Sequence, residues 1–533
     1  MNQAAAIATA TPSLGDAQRS RLILCLLCAC LVAYWLATSA SAMLQDPDSW
    51  WQVKVGLDFL DNRTFPVVDP YSYTFAGQPW IAKEWLGQVF LALAYRAGGW
   101  NGVVTLIIAT VSLTVFLMGW FLSAWLKPTL AIALAFAAAL LIAPIYTARP
   151  HVFTLPIIVV WTAMLFRAAQ EERAPPLWLL VLVVLWANLH ATFTLSFVIA
   201  AFAGLDLLAR SGLSKPALLA KWVAFGLLCP LVSLMHPYGM KAILATFTVA
   251  YGNEAVPLIL EWRAFNAQEQ VFQEAVMLLA LFGLLVSRLR IGWAKAVFIV
   301  FALHVYLAHL RFVYLPFLLI PLVIAVEVAR QYPTVSTTTW LAEKRDGLEK
   351  LFASQFYAIC GAIAVLLVGA VVILGSAYQV APSPKTAASG ALAYARDHQL
   401  SGNVLNSYNF GGTLIFHDIK TYVDGRTDQL FLGGFTKAED ATGHSDGKPL
   451  LEAQLKKYAI GWALLTSDDT RIPFFAELGW KRAYADDDAV IYLPPAPDLQ
   501  RPDETGFVSV RRSGVRLDMD VAVQQTCVAE HSP

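Results

Sequence analysis

Long apolar runs separated by short polar segments fill the chain between residues 22 and 377. Nine of these runs are long enough to cross the roughly 30 Å hydrocarbon core of a bilayer as helices. They are Leu22–Leu44, Gly102–Ala124, Thr129–Ile145, Val152–Ala169, Leu219–Met235, Gln270–Arg288, Trp293–His309, Phe312–Ala329 and Phe356–Ala377. The pattern therefore predicts a protein built mainly of transmembrane helices.

One apolar stretch, Pro176–Ala209, is too long for a simple span. A polar sequence from Asn188 to Thr192, with His190 at its centre, interrupts it. Two short helices meeting at this polar point would satisfy the backbone and keep the histidine out of lipid. One long tilted helix is the alternative, and it would invert the topology of every later span.

The charges of the loops favour two helices in this stretch. The basic loops then fall on one side of the membrane and the acidic loops on the other, as the positive-inside rule requires. The basic loops contain Arg19, Arg21, Lys127, Arg167, Arg173, Arg210, Lys215, Lys221, Arg288, Arg290, Lys295, Arg330, Lys344, Arg345 and Lys350. The opposite loops contain Asp46, Asp48, Asp58, Asp61, Asp69, Glu84, Glu254 and Glu261. We therefore expect about eleven spans, a cytoplasmic N-terminus and an extracytoplasmic C-terminal segment.

These patterns divide the chain into three parts: a cytoplasmic N-terminus (1–21), a membrane domain (22–377) with a first outer loop (45–101), and a polar segment (378–533). The last segment alternates predicted helices with short predicted strands, which indicates a small α/β domain. The predicted helices are Ala387–His398 and Pro449–Tyr458, and the predicted strands are Asn403–Asn406, Thr413–Phe416, Ile460–Thr466 and Ala489–Leu493. Gly411-Gly412 and Gly433-Gly434 are interpreted as turn glycines.

Composition agrees with this division and excludes several functions. Hydrophobic residues make up 57% and charged residues 14% of the chain, whereas soluble proteins carry roughly 25% charged residues. The formal net charge is zero, so we expect no nucleic-acid partner. The sequence has no Walker A loop, nucleophile elbow or kinase signature. A site on the outer face would also lack cytoplasmic nucleotide-activated donors, so an activated group would arrive on a membrane lipid.

The start of the first outer loop holds the most informative polar residues, Asp46 and Asp48 followed by Trp50 and Trp51, with Glu84 further on. Two carboxylates at this spacing can bind a divalent cation such as Mg²⁺ or Mn²⁺, or one can accept a proton while the other tunes it. The tryptophans suit either a sugar-stacking platform or an interfacial aromatic belt. Carboxylates beside a low-dielectric surface are costly, which favours a functional role for Asp46 and Asp48.

Other polar groups recur where the chain returns to the predicted outer face. They are Arg149, His151, His190, His236, Tyr238, Glu261, His309 and Arg311. Arg149 and Arg311 are candidates for binding phosphate, because a guanidinium offers paired donors to phosphate oxygens. Each remaining residue alone could be structural, but together they indicate a polar substrate-binding cavity. The histidine spacings match no zinc-ligand motif.

The acidic motif just after the first helix, the long first outer loop, the many helices and the C-terminal domain together resemble the GT-C glycosyltransferases. That family includes protein O-mannosyltransferases, the aminoarabinose transferase of lipid A and the catalytic subunit of oligosaccharyltransferase. The resemblance implies transfer of a sugar from a polyprenyl-phosphate or pyrophosphate carrier, with an essential aspartate in the first outer loop. Asp48 matches that aspartate best and Asp46 second, judged by the following aromatic residue and the amphipathic stretch Val53–Leu60. The Asp-Ser-Trp-Trp sequence departs from the Asp-Glu pair of the mannosyltransferases.

We therefore expect a GT-C-like, all-α polytopic membrane bundle with a small C-terminal extracytoplasmic α/β domain, in a bacterial inner membrane. The expected function is inverting sugar transfer from a polyprenyl-phosphate-linked donor to an extracytoplasmic glycan, lipid or protein. Asp48 would act as general base or position the acceptor, with support from Asp46 and Glu84, while Arg149 and Arg311 hold the phosphate. The alternatives are a transporter or flippase of lipid-linked saccharide and a non-catalytic assembly protein of the cell envelope.

Overall fold

The computed structural model describes residues 14–250, 262–338, 355–376 and 380–495. The helices of its N-terminal part are α1 (Leu14–Thr38), α2 (Asp48–Asn62), α3 (Trp85–Leu122), α4 (Pro128–Leu141), α5 (Leu155–Gln170), α6 (Leu179–Leu189), α7 (Thr194–Ser211), α8 (Pro216–Ser233), α9 (Met240–Ala250), α10 (Val271–Val286), α11 (Trp293–Ala308), α12 (Ile320–Gln331) and α13 (Phe356–Ser376). Short 3-10 turns at Pro150–Thr154, Ala191–Phe193 and Leu310–Phe312 connect several of them.

Every predicted apolar span coincides with one of these helices. Within the described ranges, six helical segments are long and apolar enough to cross a membrane, and five shorter helices are apolar. The chain is therefore a membrane protein by length and composition of its helices, while the count of about eleven spans stays a prediction. The predicted first outer loop is itself partly helical, because α2 and the first turns of α3 lie in it. Helix α3 is kinked at Gly98 and Gly99, where the backbone leaves helical geometry.

The stretch Pro176–Ala209 forms two helices, as predicted from its polar interruption. Helix α6 ends at Leu189, and His190 adopts an extended backbone (φ −163°, ψ 149°) before the next turn. The side chain of His190 accepts a hydrogen bond from the backbone N–H of Thr192 and so caps that turn. The polar residues therefore end one helix and begin the next.

The C-terminal part is a four-stranded sheet flanked by short helices. The helices are α14 (Pro384–Ala387), α15 (Ser389–Asp397), α16 (Tyr408–Phe416), α17 (Phe435–Ala441), α18 (Lys448–Lys457) and α19 (Ile472–Glu477), and the strands are β1 (Asn403–Asn406), β2 (Ile460–Thr466), β3 (Lys481–Ala485) and β4 (Ala489–Leu493). The strand order is β1-β2-β4-β3; β1 and β2 run parallel, and β4 is antiparallel to both of its neighbours.

The structure confirms three of the four predicted strands and corrects the fourth. Thr413–Phe416 is not a strand but the last part of α16. Gly411 and Gly412 are not turn glycines, because they lie inside this helix. A Cβ on Gly412 would lie 2.1 Å from the carbonyl oxygen of Pro47. Gly412 therefore lets α16 pack directly against the backbone that leads into α2.

The first outer loop and the C-terminal domain share one hydrophobic core. Trp51 and Trp80 of the loop pack in the same buried cluster as Tyr422 and Phe431 of the domain. Backbone hydrogen bonds also join them, since the N–H of Tyr73 donates to the carbonyl of Thr421 at 3.1 Å. The C-terminal domain is thus held against the loop that carries the predicted carboxylates.

Candidate active site

Two predicted carboxylates meet at the start of α2. Asp46 lies just before the helix, and its Oδ1 accepts a 2.9 Å hydrogen bond from the backbone N–H of Asp48. Asp48 is the first residue of α2 and is only 5% exposed. The free N–H groups at a helix start carry partial positive charge, which stabilises carboxylates there. The local sequence Asp-Pro-Asp therefore places both carboxylates at one helix end.

Arg149 brings a positive charge to these carboxylates from a distant part of the chain. Its backbone is extended (φ −130°, ψ 154°) before the turn that begins at Pro150, as the following proline favours. One guanidinium nitrogen lies 3.2 Å from Oδ2 of Asp46, and the other lies 3.1 Å from Oδ2 of Asp48. The side chains of Arg149, Asp46 and Asp48 are 19%, 17% and 7% exposed, respectively. Because water is largely excluded, these ion pairs interact more strongly than pairs on an open surface.

The Mg²⁺ or Mn²⁺ site considered for Asp46 and Asp48 does not fit this arrangement. Both carboxylates direct Oδ2 to the guanidinium of Arg149, which takes the place of a bridging cation. Among the residues that the structure describes, no group of three or more His, Cys, Asp or Glu side chains could hold a metal ion. Mg²⁺ prefers near-octahedral oxygen coordination, and the arginine supplies only donors.

A second buried cluster joins the start of α3 to the break between α6 and α7. Oε1 of Glu84 lies 3.2 Å from Nε2 of His190, and Oε2 of Glu84 accepts a 3.3 Å hydrogen bond from Gln52. Gln52 in turn accepts a 2.8 Å hydrogen bond from Gln88. Nδ1 of His190 accepts from the backbone N–H of Thr192 at 3.2 Å. A neutral His190 therefore carries its proton on Nε2, the nitrogen that lies near Oε1 of Glu84.

The charges around this pair connect it to the first cluster. Burial raises the pKa of Glu84, and nearby Lys83, Arg149 and Arg311 oppose that rise. Burial lowers the pKa of His190 well below its ordinary value, and the same three cations lower it further. A raised Glu pKa and a depressed His pKa favour the uncharged forms of both groups. We call Asp46, Asp48, Glu84, Arg149, His190 and Arg311 the outer polar cluster.

Arg311 belongs to this cluster, and two further histidines border it. The guanidinium of Arg311 lies 4.5 Å from the ring centre of Trp262 in a cation–π contact. Nδ1 of His309 lies 3.0 Å from the carbonyl oxygen of Trp262 and so fixes the same tryptophan. The ring of His151 lies 5.9 Å from that of His190, and its Nε2 bonds a backbone carbonyl at 2.8 Å. Predicted Glu261 lies outside the described residues.

His236 and Tyr238 fix the backbone that leads into α3. His236 Nε2 donates to the carbonyl of Lys83 at 3.0 Å. The Tyr238 hydroxyl donates to the carbonyl of Pro66 at 2.8 Å and accepts from the N–H of Ala82 at 3.2 Å. In this structure these predicted substrate-binding residues hold the first outer loop in place.

The two tryptophans after Asp48 are buried rather than displayed. Trp50 and Trp51 are each 7% exposed. Trp50 makes edge-to-face contacts with Trp100 and Phe416, with ring centres 4.8 Å and 5.0 Å apart. Both indole N–H groups are buried without a hydrogen-bond partner among the described residues. A sugar-stacking platform needs an open ring face, which neither tryptophan offers in this structure.

A largely apolar groove opens beside the outer polar cluster. Its volume is about 450 Å³. Its lining residues are Trp85, Leu86, Val184, Leu185, Asn188, Met235, His236 and Pro237. Trp85 directly follows Glu84, and Asn188 accepts a 2.7 Å hydrogen bond from its indole. Met235 is 66% exposed at the rim, so the groove is open to the surroundings of the helices.

The sequence patterns do not identify four residues that the structure places at or beside the cluster. Gln52 and Gln88 follow Asp48 and Glu84 by four positions, a spacing that places each pair on one helix face and could have identified them. Lys83 forms an ion pair with Asp428 of the C-terminal domain. No local pattern indicates a contact between positions so far apart.

The helices, the acidic first outer loop and the C-terminal domain together share their fold with an oligosaccharyltransferase of known structure. Among solved structures, the apo oligosaccharyltransferase of Archaeoglobus fulgidus matches with a TM-score of 0.50 and 11% identity, over 89% of this chain and 74% of that chain. The same organism's AglB, in complex with an inhibitory peptide and a dolichol-phosphate, matches with a TM-score of 0.49 and 11% identity, over 83% of this chain and 69% of that chain. ArnT of Cupriavidus metallidurans bound to undecaprenyl phosphate matches with a TM-score of 0.48 and 11% identity, over 89% of this chain and 98% of that chain. At 11% identity, the match to the apo oligosaccharyltransferase shows a shared fold and nothing more. No protein-family model and no curated protein sequence matches this chain.

Proposed function

We propose that this protein is an integral membrane glycosyltransferase that moves a sugar from a polyprenyl-phosphate-linked donor to an extracytoplasmic acceptor, with inversion at the anomeric carbon. The observation that carries the proposal is the buried contact of Asp46 and Asp48 with Arg149 at the start of α2. The fold shared with an oligosaccharyltransferase supports it. The proposed location is a bacterial inner membrane, with the N-terminus inside and the C-terminal domain in the periplasm.

The proposed reaction is a single displacement. The acceptor hydroxyl oxygen forms a bond to the anomeric carbon while the bond from that carbon to the phosphate oxygen breaks. The hydroxyl proton passes to the carboxylate of Asp48, which acts as general base. The bonding electron pair leaves with the phosphate, and the positive charges of Arg149 and Arg311 offset the charge that develops there. The products are the glycosylated acceptor and the polyprenyl phosphate.

Each remaining member of the outer polar cluster has a place in this proposal. Asp46 holds the second guanidinium nitrogen of Arg149, so the arginine stays aligned when Asp48 takes up a proton. The Glu84–His190 pair, with its N–H donor and buried carboxyl group, would hydrogen-bond the sugar hydroxyls beside the reacting carbon. The apolar groove beside Glu84 suits the isoprenoid tail, since its lining is mostly hydrocarbon. The arginines supply the positive charge, and no step uses a metal ion.

Sugar transfer in lipid nanodiscs tests this function against its rivals. The purified protein would be mixed with radiolabelled polyprenyl-phosphate sugars and a panel of glycan, lipid and peptide acceptors. A covalent sugar–acceptor product that persists in EDTA is the expected result. A flippase would move the labelled lipid between leaflets of proteoliposomes without forming a product. An assembly protein would do neither. The absence of product from every donor and acceptor class would contradict the proposal.

A further inference from the structure

One segment of the C-terminal domain, residues 421–429, lies directly on the first outer loop. Arg426 is fully buried between Asp69 of the loop and Asp424 of its own segment. Its guanidinium also lies 5.0 Å from the ring centre of Trp80. A fully buried arginine is costly unless it is paired and hydrogen-bonded. The segment is therefore fixed on the loop by an ion-pair network that neither part completes alone.

Further contacts extend this attachment toward the outer polar cluster. Gln429 makes two hydrogen bonds with the backbone of Ile81, one from the Ile81 N–H at 3.2 Å and one to its carbonyl at 3.0 Å. Asp428 forms the ion pair with Lys83, the residue directly before Glu84. The segment thus follows the loop to the edge of the proposed active site.

At the centre of the segment, Gly425 meets the proposed general base. A Cβ built on Gly425 would lie 1.7 Å from Oδ1 of Asp48 and 2.9 Å from Nε1 of Trp51. The other carboxylate oxygen of Asp48 is paired with Arg149. The carboxylate is therefore held on one side by a guanidinium and on the other by a glycine backbone of another domain. Only a residue without a side chain allows this approach.

We propose that segment 421–429 is part of the catalytic site and that Gly425 is a positioning residue that sets the place of the Asp48 carboxylate. The proposal rests on the proposed function above and adds a role for the C-terminal domain. A substitution that adds one methyl group at this position must displace either the carboxylate or the segment. A misplacement of about 1 Å can cost on the order of 10²-fold in rate.

Gly425→Ala tests this role, with Asp418→Asn and Gly226→Ala as matched controls. Asp418 also joins the two parts, through an ion pair with Lys54 at 2.7 Å, but it is 77% exposed. A Cβ on Gly226 would meet nothing within 4 Å. We expect kcat of Gly425→Ala to fall by about 10²-fold and both controls to stay within about twofold of wild type.

The pH profile separates positioning from a general folding defect. In Gly425→Ala, an alkyl group beside Oδ1 and a weaker contact with Arg149 both disfavour the charged carboxylate of Asp48. The acid limb of kcat/KM should therefore move to higher pH. A loss of folded protein would lower the whole profile without moving that limb. If Gly425→Ala does not accumulate in the membrane, Gln429→Ala loosens the same segment and should lower kcat by about tenfold.

The outcomes are distinct. Inactive wild-type protein with every polyprenyl-phosphate sugar overturns both proposals. Active wild type with a normally active Gly425→Ala, or with a lowered but unshifted pH profile, overturns the positioning role alone. If Gln429→Ala is measured instead, full activity of that variant overturns the positioning role. Loss of kcat with a shifted acid limb and active controls supports it.

Discussion

Replacement of Arg149 by methionine tests whether the two carboxylates depend on this arginine. The change removes the guanidinium and keeps a flexible side chain of comparable length. It leaves the carboxylates of Asp46 and Asp48, 17% and 7% exposed, without their shared partner. Removing one member of a buried ion pair costs about 3–5 kcal/mol. Because the site is not fully buried, we expect the lower end, about 3 kcal/mol of unfolding free energy.

The matched control is Arg96→Met. Arg96 pairs with Asp61 of the same loop, but the side chains are 44% and 63% exposed. An exposed pair of this kind contributes at most about 1 kcal/mol. Denaturant unfolding in detergent micelles, followed by tryptophan fluorescence, measures both variants. The difference between them should be about 2 kcal/mol or more.

A charge-neutral triple variant completes this experiment. Arg149→Met combined with Asp46→Asn and Asp48→Asn has no uncompensated charge, and the asparagine at position 46 can still accept the hydrogen bond from the backbone N–H of residue 48. It should recover most of the lost stability. Equal losses in Arg149→Met and Arg96→Met, or no recovery in the triple variant, would refute the argument that these charges are buried and mutually dependent.

Three further predictions address the surroundings of the site. Below pH 6.5, His190 binds a proton in the unfolded chain but stays neutral where it is buried in the folded protein. The free energy of unfolding should therefore fall by up to about 1.4 kcal/mol per pH unit. Glu84, with its raised pKa, stabilises the folded state at low pH and so has the opposite effect. The difference between the melting curves of wild type and His190→Gln therefore gives the contribution of the histidine. Arg426→Met should cost about 3–5 kcal/mol and speed proteolysis of the C-terminal domain, unlike the exposed-pair variant Lys448→Met. Trp50→Ala should lower stability by about 3–5 kcal/mol; a stable variant with only a raised KM for sugar would contradict its packing role.

The sequence predicted the structure correctly where a local pattern of residues determines it. The polar stretch around His190 predicted the break between α6 and α7, because a histidine and an asparagine have no partners in lipid. Apolar, β-branched residues predicted β1, β2 and β4. Placing Asp48 and Arg149 on the same outer face predicted a shared polar site, but not the ion pair between them.

The remaining features depend on contacts between distant segments. Thr413–Phe416 has the composition of a strand, but Gly412 allows a helix to pack on the backbone at Pro47. Strand β3 was missed because its residues are mostly exposed or half-buried and show no apolar alternation. The approach of Gly425 to Asp48 has no local signature, since it joins two domains through a backbone and a carboxylate.

Asp48→Asn, assayed for sugar transfer from a polyprenyl-phosphate donor in nanodiscs, tests the central claim most directly. The amide keeps the size of the carboxylate and one acceptor oxygen but loses the charge and nearly all of the proton affinity. Loss of a general base typically costs about 10²–10⁴-fold in rate. Asp61→Asn, a carboxylate 63% exposed in the same loop, serves as control and should stay active. With both variants present in the membrane at the wild-type level, Asp48→Asn should be inactive and Asp61→Asn should be active. A fully active Asp48→Asn would contradict it.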